Sequence, residues 1–192
     1  MTVKNEEGEA MAKFDRKNAH IRLFELTVCA MMGAIAFALK VAMANLPNIE
    51  PVTMLLMLCT LIFGYKAFLT CSVYVLLEGI FFGISTWWIP YLYAWPILIL
   101  ITLPLRRFRN PILFSAVATV YGFIFGFFFL PVNYFVYHMQ GRPDLVIAYI
   151  VKDLEFDLYH AIGNAVIVTL LLPPLRIAME KAVQRVRKGM KV

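Results

Sequence analysis

From Val52 to Ile89 the chain runs almost without interruption through apolar side chains, and the trio Gly64-Tyr65-Lys66 is the one clear break near the middle. A single helix of about 35 residues would exceed the roughly 30 Å hydrocarbon core of a bilayer by nearly twofold, at a rise of about 1.5 Å per residue. The run is therefore expected to fold back at Lys66 as two helices. Similar runs recur along the chain, and 61% hydrophobic residues in 192 is more than a soluble domain carries. The expected fold class is an all-α integral membrane protein with six transmembrane helices.

The first span is placed over Leu23 to Leu46 and stops at Pro47-Asn48, because a residue ahead of proline is pushed away from helical geometry. The second begins at Pro51, a favoured first helical position, and ends at Gly64-Tyr65-Lys66. The others are Ala67 to Trp87, Tyr91 to Leu105, Ile112 to Tyr134, and Tyr159 to Leu175. The Gln140 to Asp157 stretch reads as a polar loop with a short helix over Leu145 to Val151. This divides the chain into a tail over 1–22, a membrane domain over 23–175 and a basic tail over 176–192. The tail carries Ile177, Val183, Val186 and Met190 near one face and reads as an amphipathic helix lying on the membrane surface. The N-terminal charged and apolar regions are too long for a cleavable signal, so the first helix is expected to be retained.

Charge sets the direction. Lys4, Lys13, Arg16, Lys17, Arg22, Lys66, Arg106, Arg107, Arg109, Arg176, Lys181, Arg185, Arg187, Lys188 and Lys191 all fall on one side of this topology. Only Lys40, Arg142 and Lys152 are left for the other. Positive loops stay cytoplasmic, so both termini are expected inside and the protein is expected to be a multi-pass component of the cell membrane. The same rule accounts for the net charge of +6 without any nucleic-acid partner. Cys29, Cys59 and Cys71 lie inside apolar runs at no ligand spacing, so no metal or other cofactor is implied.

Two features point toward function. Ala30, Ala34, Ala38 and Ala42 recur every fourth residue in the first span, a smooth stripe on which another helix can approach closely, either within the bundle or from a partner. The pairs Gly79 with Gly83 and Gly122 with Gly126 have the same spacing and are read as internal packing. The second feature is a gathering of polar and aromatic residues toward the outer face: Lys40, Asn48, Glu50, Glu78, Trp87, Trp88, Tyr91, Trp95, Asn133, Tyr137, His138, Asp157, His160 and Asn164. Ionisable groups at membrane depth cost several kcal/mol unless paired or hydrated, so Lys40, Glu78 and His160 imply mutual pairing or a polar pocket. Trp and Tyr at an outer turn also serve as interfacial anchors. Asp157, His160 and Asn164 share a helical face, which suits either ligand contact or internal hydrogen bonding.

The motifs of enzymes are missing. There is no Walker glycine loop, no Gly-x-Ser-x-Gly turn and no His-Glu-x-x-His in the sequence. No two related halves of a self-contained carrier are visible either. A chain of this kind that moves a solute would borrow its energy from partners.

The alanine ladder, the segment Asn48-Ile49-Glu50-Pro51-Val52-Thr53, and the segment Phe156-Asp157-Leu158-Tyr159-His160-Ala161-Ile162-Gly163-Asn164 resemble those of the substrate-binding S components of energy-coupling factor (ECF) vitamin transporters. The resemblance implies capture of a vitamin-like small molecule near the outer surface, docking through the alanine stripe onto a membrane coupling subunit driven by two ATPase subunits, and reorientation in the lipid bilayer. It places the pocket at the first outer loop and the outer ends of the later helices. The outer-side residues carry an excess of about three negative charges, which disfavours strongly anionic ligands such as folate or pantothenate. Abundant rings suit a large flat ligand, and the resemblance points to cobalamin ahead of riboflavin, pantothenate, a queuosine precursor or tryptophan. A solitary carrier of a vitamin or nucleobase-like solute, and a membrane assembly protein without a small ligand, are the alternatives.

Overall fold

A computed structural model describes residues 2–46 and 49–189, with side chains from residue 18 onward. Among them there is no strand. Seven helices follow one another: α1 (Thr2–Ala42), α2 (Val52–Phe63), α3 (Ala67–Phe82), α4 (Tyr91–Thr102), α5 (Pro111–Phe123), α6 (Leu130–Met139) and α7 (Leu145–Gly189). Short 3-10 turns at Gly64–Lys66, Leu103–Arg107 and Phe125–Phe129 follow α2, α4 and α5.

By length and composition, Asn18–Ala42, Val52–Phe82 and Leu145–Gly189 can each cross a membrane, and Pro111–Phe123 with Phe125–Met139, bent by 47°, would make a fourth crossing as one broken span. The string Val52–Phe82 is not a straight rod. The Lys40 ammonium lies 3.8 Å from Glu50 and 2.9 Å from Glu78, whereas an unbroken helix would hold residues 50 and 78 about 42 Å apart along its axis. The chain reverses at Gly64, whose φ of 64° lies where a side chain is strained, and where a Cβ would also stand 2.7 Å from the Arg106 guanidinium. The expected hairpin is thus present.

Side-chain bridges fix the directions of the other helices. Glu25 meets Lys66, the Thr70 hydroxyl donates to Cys29 O at 2.9 Å, and Lys40 meets Glu78, so α1 and α3 run parallel. Helix α4 starts at Lys40 through Tyr91 and ends near Leu61 through Arg106, alongside α2. Helix α5 is antiparallel to α7: Ser115 pairs with Thr169, Ala118 O with Asn164, and Gly126 N–H with Asp157. The bundle has a Lys40 end and an Arg106 end, and Glu25 with Arg187 places both termini-bearing helices at the latter.

Helix α2 is the axis. Eleven of its 12 residues are buried, as expected of a helix that is apolar all round, and α1, α3, α4 and α7 surround it. Its neighbours approach through small residues. A Cβ on Gly33 would sit 2.5 Å from Thr70 O, and one on Gly122 would sit 2.8 Å from Asn164 Nδ2. Gly79 likewise abuts the Trp88 indole, but Gly83 touches nothing and instead ends α3 at a φ of 85°. The Gly79 and Gly83 pair therefore does not act as one packing motif.

Helix α7 differs most from expectation. It runs unbroken for 45 residues, so the helix expected over Leu145 to Val151, the sixth span and the basic tail are one element. Pro173 and Pro174 lie inside it without ending it. Nor does the tail simply lie on a surface: Val183 is buried and Arg187 bonds Glu25. At roughly 1.5 Å per residue, α7 is about 67 Å long and must project beyond any bilayer it crosses. The exposed turn before it is closed by Arg142, whose guanidinium donates to Asp144 and holds that carboxyl below its usual range.

Candidate functional site

The Lys40 end holds a buried polar cluster. Glu78 is 1% exposed in its side chain, Glu50 12% and Lys40 21%, so the charge reaches from the surface into the bundle. Lys40 spends its three N–H donors on Glu78 Oε2 at 2.9 Å, Tyr91 Oη at 3.0 Å and Tyr74 Oη at 3.2 Å. Its Nζ also lies 4.8 Å from the Tyr91 ring centroid. Among the described residues, Glu50 then has only the more distant charge at 3.8 Å. One cation thus serves two carboxylates.

Behind this mouth the rings pack edge to face or tilted. Tyr91 meets Trp95 at 5.8 Å, Trp95 meets Phe125 at 5.0 Å, and Phe125 meets His160 at 4.8 Å between centroids. His160 Nε2 is 3.4 Å from Thr53 Oγ1, which joins α7 to the start of α2. Glu78 Oε1, Trp95 Nε1, Tyr121 Oη and His160 Nδ1 are buried and have no hydrogen-bond partner among the described residues. An unpaired buried polar atom costs about 1–3 kcal/mol, so four around one aromatic cluster mark a place built for something other than stability.

Of the residues singled out in the sequence, Lys40, Glu50, Glu78, Tyr91, Trp95 and His160 come together here. Trp87 lies at the rim, its ring 5.6 Å from Tyr91. Trp88 is committed elsewhere, donating to Val75 O at 2.8 Å. Asn164 donates to Ala118 O at 3.2 Å and braces α7 on α5, while Asp157 accepts the Gly126 N–H at 2.8 Å beside a small cavity that Asp153 and Tyr149 share. Asn133, Tyr137 and His138 sit on α6, which packs on α7 and the Phe125–Phe129 turn, and His138 stacks on Tyr134. Asn48 lies outside the described residues. Tyr74 and Tyr121 were missed, being single tyrosines in apolar runs. The available signal was helical phase, since Tyr74 precedes Glu78, and Tyr121 precedes Phe125, by one turn.

The alanine stripe faces away from all of this. Ala34, Ala38 and Ala42 are exposed and Ala30 is half-buried, whereas Cys29, Gly33 and Ala36 turn inward to α3 and the core. The smooth face is not consumed by internal packing.

The chain matches no family model, and neither curated proteins nor solved structures show a significant similarity to it.

Proposed function

We propose that this chain is the substrate-binding membrane subunit of an ATP-driven importer of the ECF type. In this reading the protein crosses the cell membrane six times with both termini cytoplasmic, the Lys40 end faces outward, and the polar cluster there captures a vitamin-like small molecule. The observation that carries it is the set of four unpartnered polar atoms around the Tyr91, Trp95 and Phe125 rings, next to a carboxylate pair that shares one lysine. Rings supply flat contact area and the polar atoms supply orientation, which is the make-up of a small-molecule site. The exposed Ala34, Ala38 and Ala42 face supports docking onto a coupling subunit, which two ATPase subunits would drive. Cobalamin is the first substrate to try, because the surplus of negative charge at this end disfavours anionic vitamins.

The test is uptake of labelled vitamin into proteoliposomes. ATP-dependent uptake only when the coupling and ATPase subunits are present supports the proposal. Uptake by the chain alone without ATP would replace it with a solitary carrier. Failure of every vitamin in a panel to stabilise the folded chain would replace it with an assembly role.

A further inference from the structure

At the opposite end of the bundle an open cleft of about 810 Å³ lies between the α2–α3 turn, the end of α4 and α7. Its walls have unlike chemistry. Leu100, 54% exposed, and Leu103 with Pro104 form an apolar side, and four arginines gather at the other: Arg106, Arg107, Arg109 and Arg176. Glu180 is the single acid in the lining, and it is already occupied, with Arg109 Nη1 at 2.7 Å from both oxygens and Arg176 Nε at 3.1 Å. Arg176 uses all three of its nitrogens, donating also to Phe108 O and Arg106 O. Arg106 has only a 3.5 Å contact to Leu61 O, and Arg107 has no hydrogen bond or ion pair among the described residues.

We infer that this cleft binds one anionic phospholipid, its phosphate on Arg106 and Arg107 and an acyl chain along Leu100, Leu103 and Pro104. A free anion would use the arginines but gain nothing from the apolar wall, whereas a lipid uses both. Tyr65, 72% exposed at the same level, is placed as residues at a membrane interface commonly are. Basic pockets between helices on the cytoplasmic side have the chemistry that holds anionic headgroups. The volume falls in the usual range of about 300–1,000 Å³ for small-ligand sites. The bound headgroup would also lie against the Gly64 reversal, through Arg106, and so join the turn of α2 and α3 to the end of α4. The inference rests on membrane insertion but not on the vitamin site, and vitamin binding is measured separately from lipid retention.

The test is native mass spectrometry of the full chain, delipidated in detergent and offered phosphatidylglycerol or phosphatidylcholine of the same chains. One phosphatidylglycerol should be retained in preference, and Arg106→Gln with Arg107→Gln should weaken retention by roughly fivefold for each arginine removed. Lys181→Gln with Arg185→Gln, on the exposed tail of α7, should leave the preference intact. Equal retention of both lipids overturns the inference, as does loss of preference in the tail variant, which would indicate diffuse attraction. Thermal stabilisation by inorganic phosphate at the level given by phosphatidylglycerol would assign the cleft to a free anion instead. An arginine variant that keeps the lipid but fails to capture a coupling subunit would make it a protein contact. Because Arg107 makes no hydrogen bond or ion pair among the described residues, Arg107→Gln alone provides a variant that should fold as wild type.

Discussion

The two ends of the bundle use the same chemistry in opposite proportions. At the Arg106 end one buried carboxylate, Glu25, is held by two cations, Lys66 and Arg187, and Glu180 is likewise shared by Arg109 and Arg176. Three of these four bridges join residues far apart in sequence, Arg176 and Glu180 being one helical turn apart, and none of the acids' charge is left uncompensated. At the Lys40 end a single cation serves Glu50 and Glu78, and one Glu78 oxygen is left over. Saturated clusters brace helices, whereas an unsaturated buried cluster gives up stability and invites a partner. The first kind reads as a clamp, the second as a site.

The largest expected effect tests the clamp. Arg176→Met should cost about 1–3 kcal/mol, because it frees the Phe108 and Arg106 carbonyls and leaves Glu180 with Arg109 alone. Thermal or denaturant unfolding in detergent measures this, and a loss below about 1 kcal/mol would remove the distinction between the ends. Next, Glu78→Gln should change stability little, since Lys40 keeps Glu50 and two tyrosine oxygens. It should weaken ligand binding by about tenfold or more, the worth of a hydrogen bond to a charged group. Calorimetry against the captured vitamin reads it, and a large fall in stability with unchanged affinity would turn the Lys40 cluster into a second clamp.

A smaller contrast lies on α1 alone. Gly33→Leu should disrupt the bundle, since even a Cβ there would sit 2.5 Å from Thr70 O. Ala34→Leu, one residue on, points outward and should leave stability within about 0.5 kcal/mol while weakening co-purification of the coupling subunit. Equal destabilisation by both would assign the stripe to internal packing.

These contrasts were unevenly legible in the sequence. The hairpin at Lys66 was readable because bilayer thickness limits helix length, and the polar gathering around Lys40, Glu50, Glu78 and His160 was readable because ionisable groups are costly at depth. The pairing of Glu25 with Arg187 was not, since it joins residues more than 160 positions apart and no local period reports it. The continuity of α7 was not legible, because the polar Gln140 to Asp157 stretch reads as a loop and the basic residues from Arg176 read as a separate tail, whereas a change of polarity does not by itself stop a helix. Asp157, His160 and Asn164 share a face as expected, yet three different neighbours receive them: Gly126, Thr53 and Ala118. A shared face does not make a shared partner.

The central claim is that the Lys40 end keeps unpartnered polar atoms for a ligand at a cost to the unliganded fold, and Tyr121→Phe tests it most directly, since it removes only a buried hydroxyl that has no partner among the described residues. Unfolding of the ligand-free protein and calorimetric titration with cobalamin, or with the small molecule that mass spectrometry finds co-purified with wild type, are measured side by side. The account predicts that the variant is more stable than wild type by about 1 kcal/mol and binds the ligand several-fold more weakly. A variant that is no more stable and binds with wild-type affinity would contradict it.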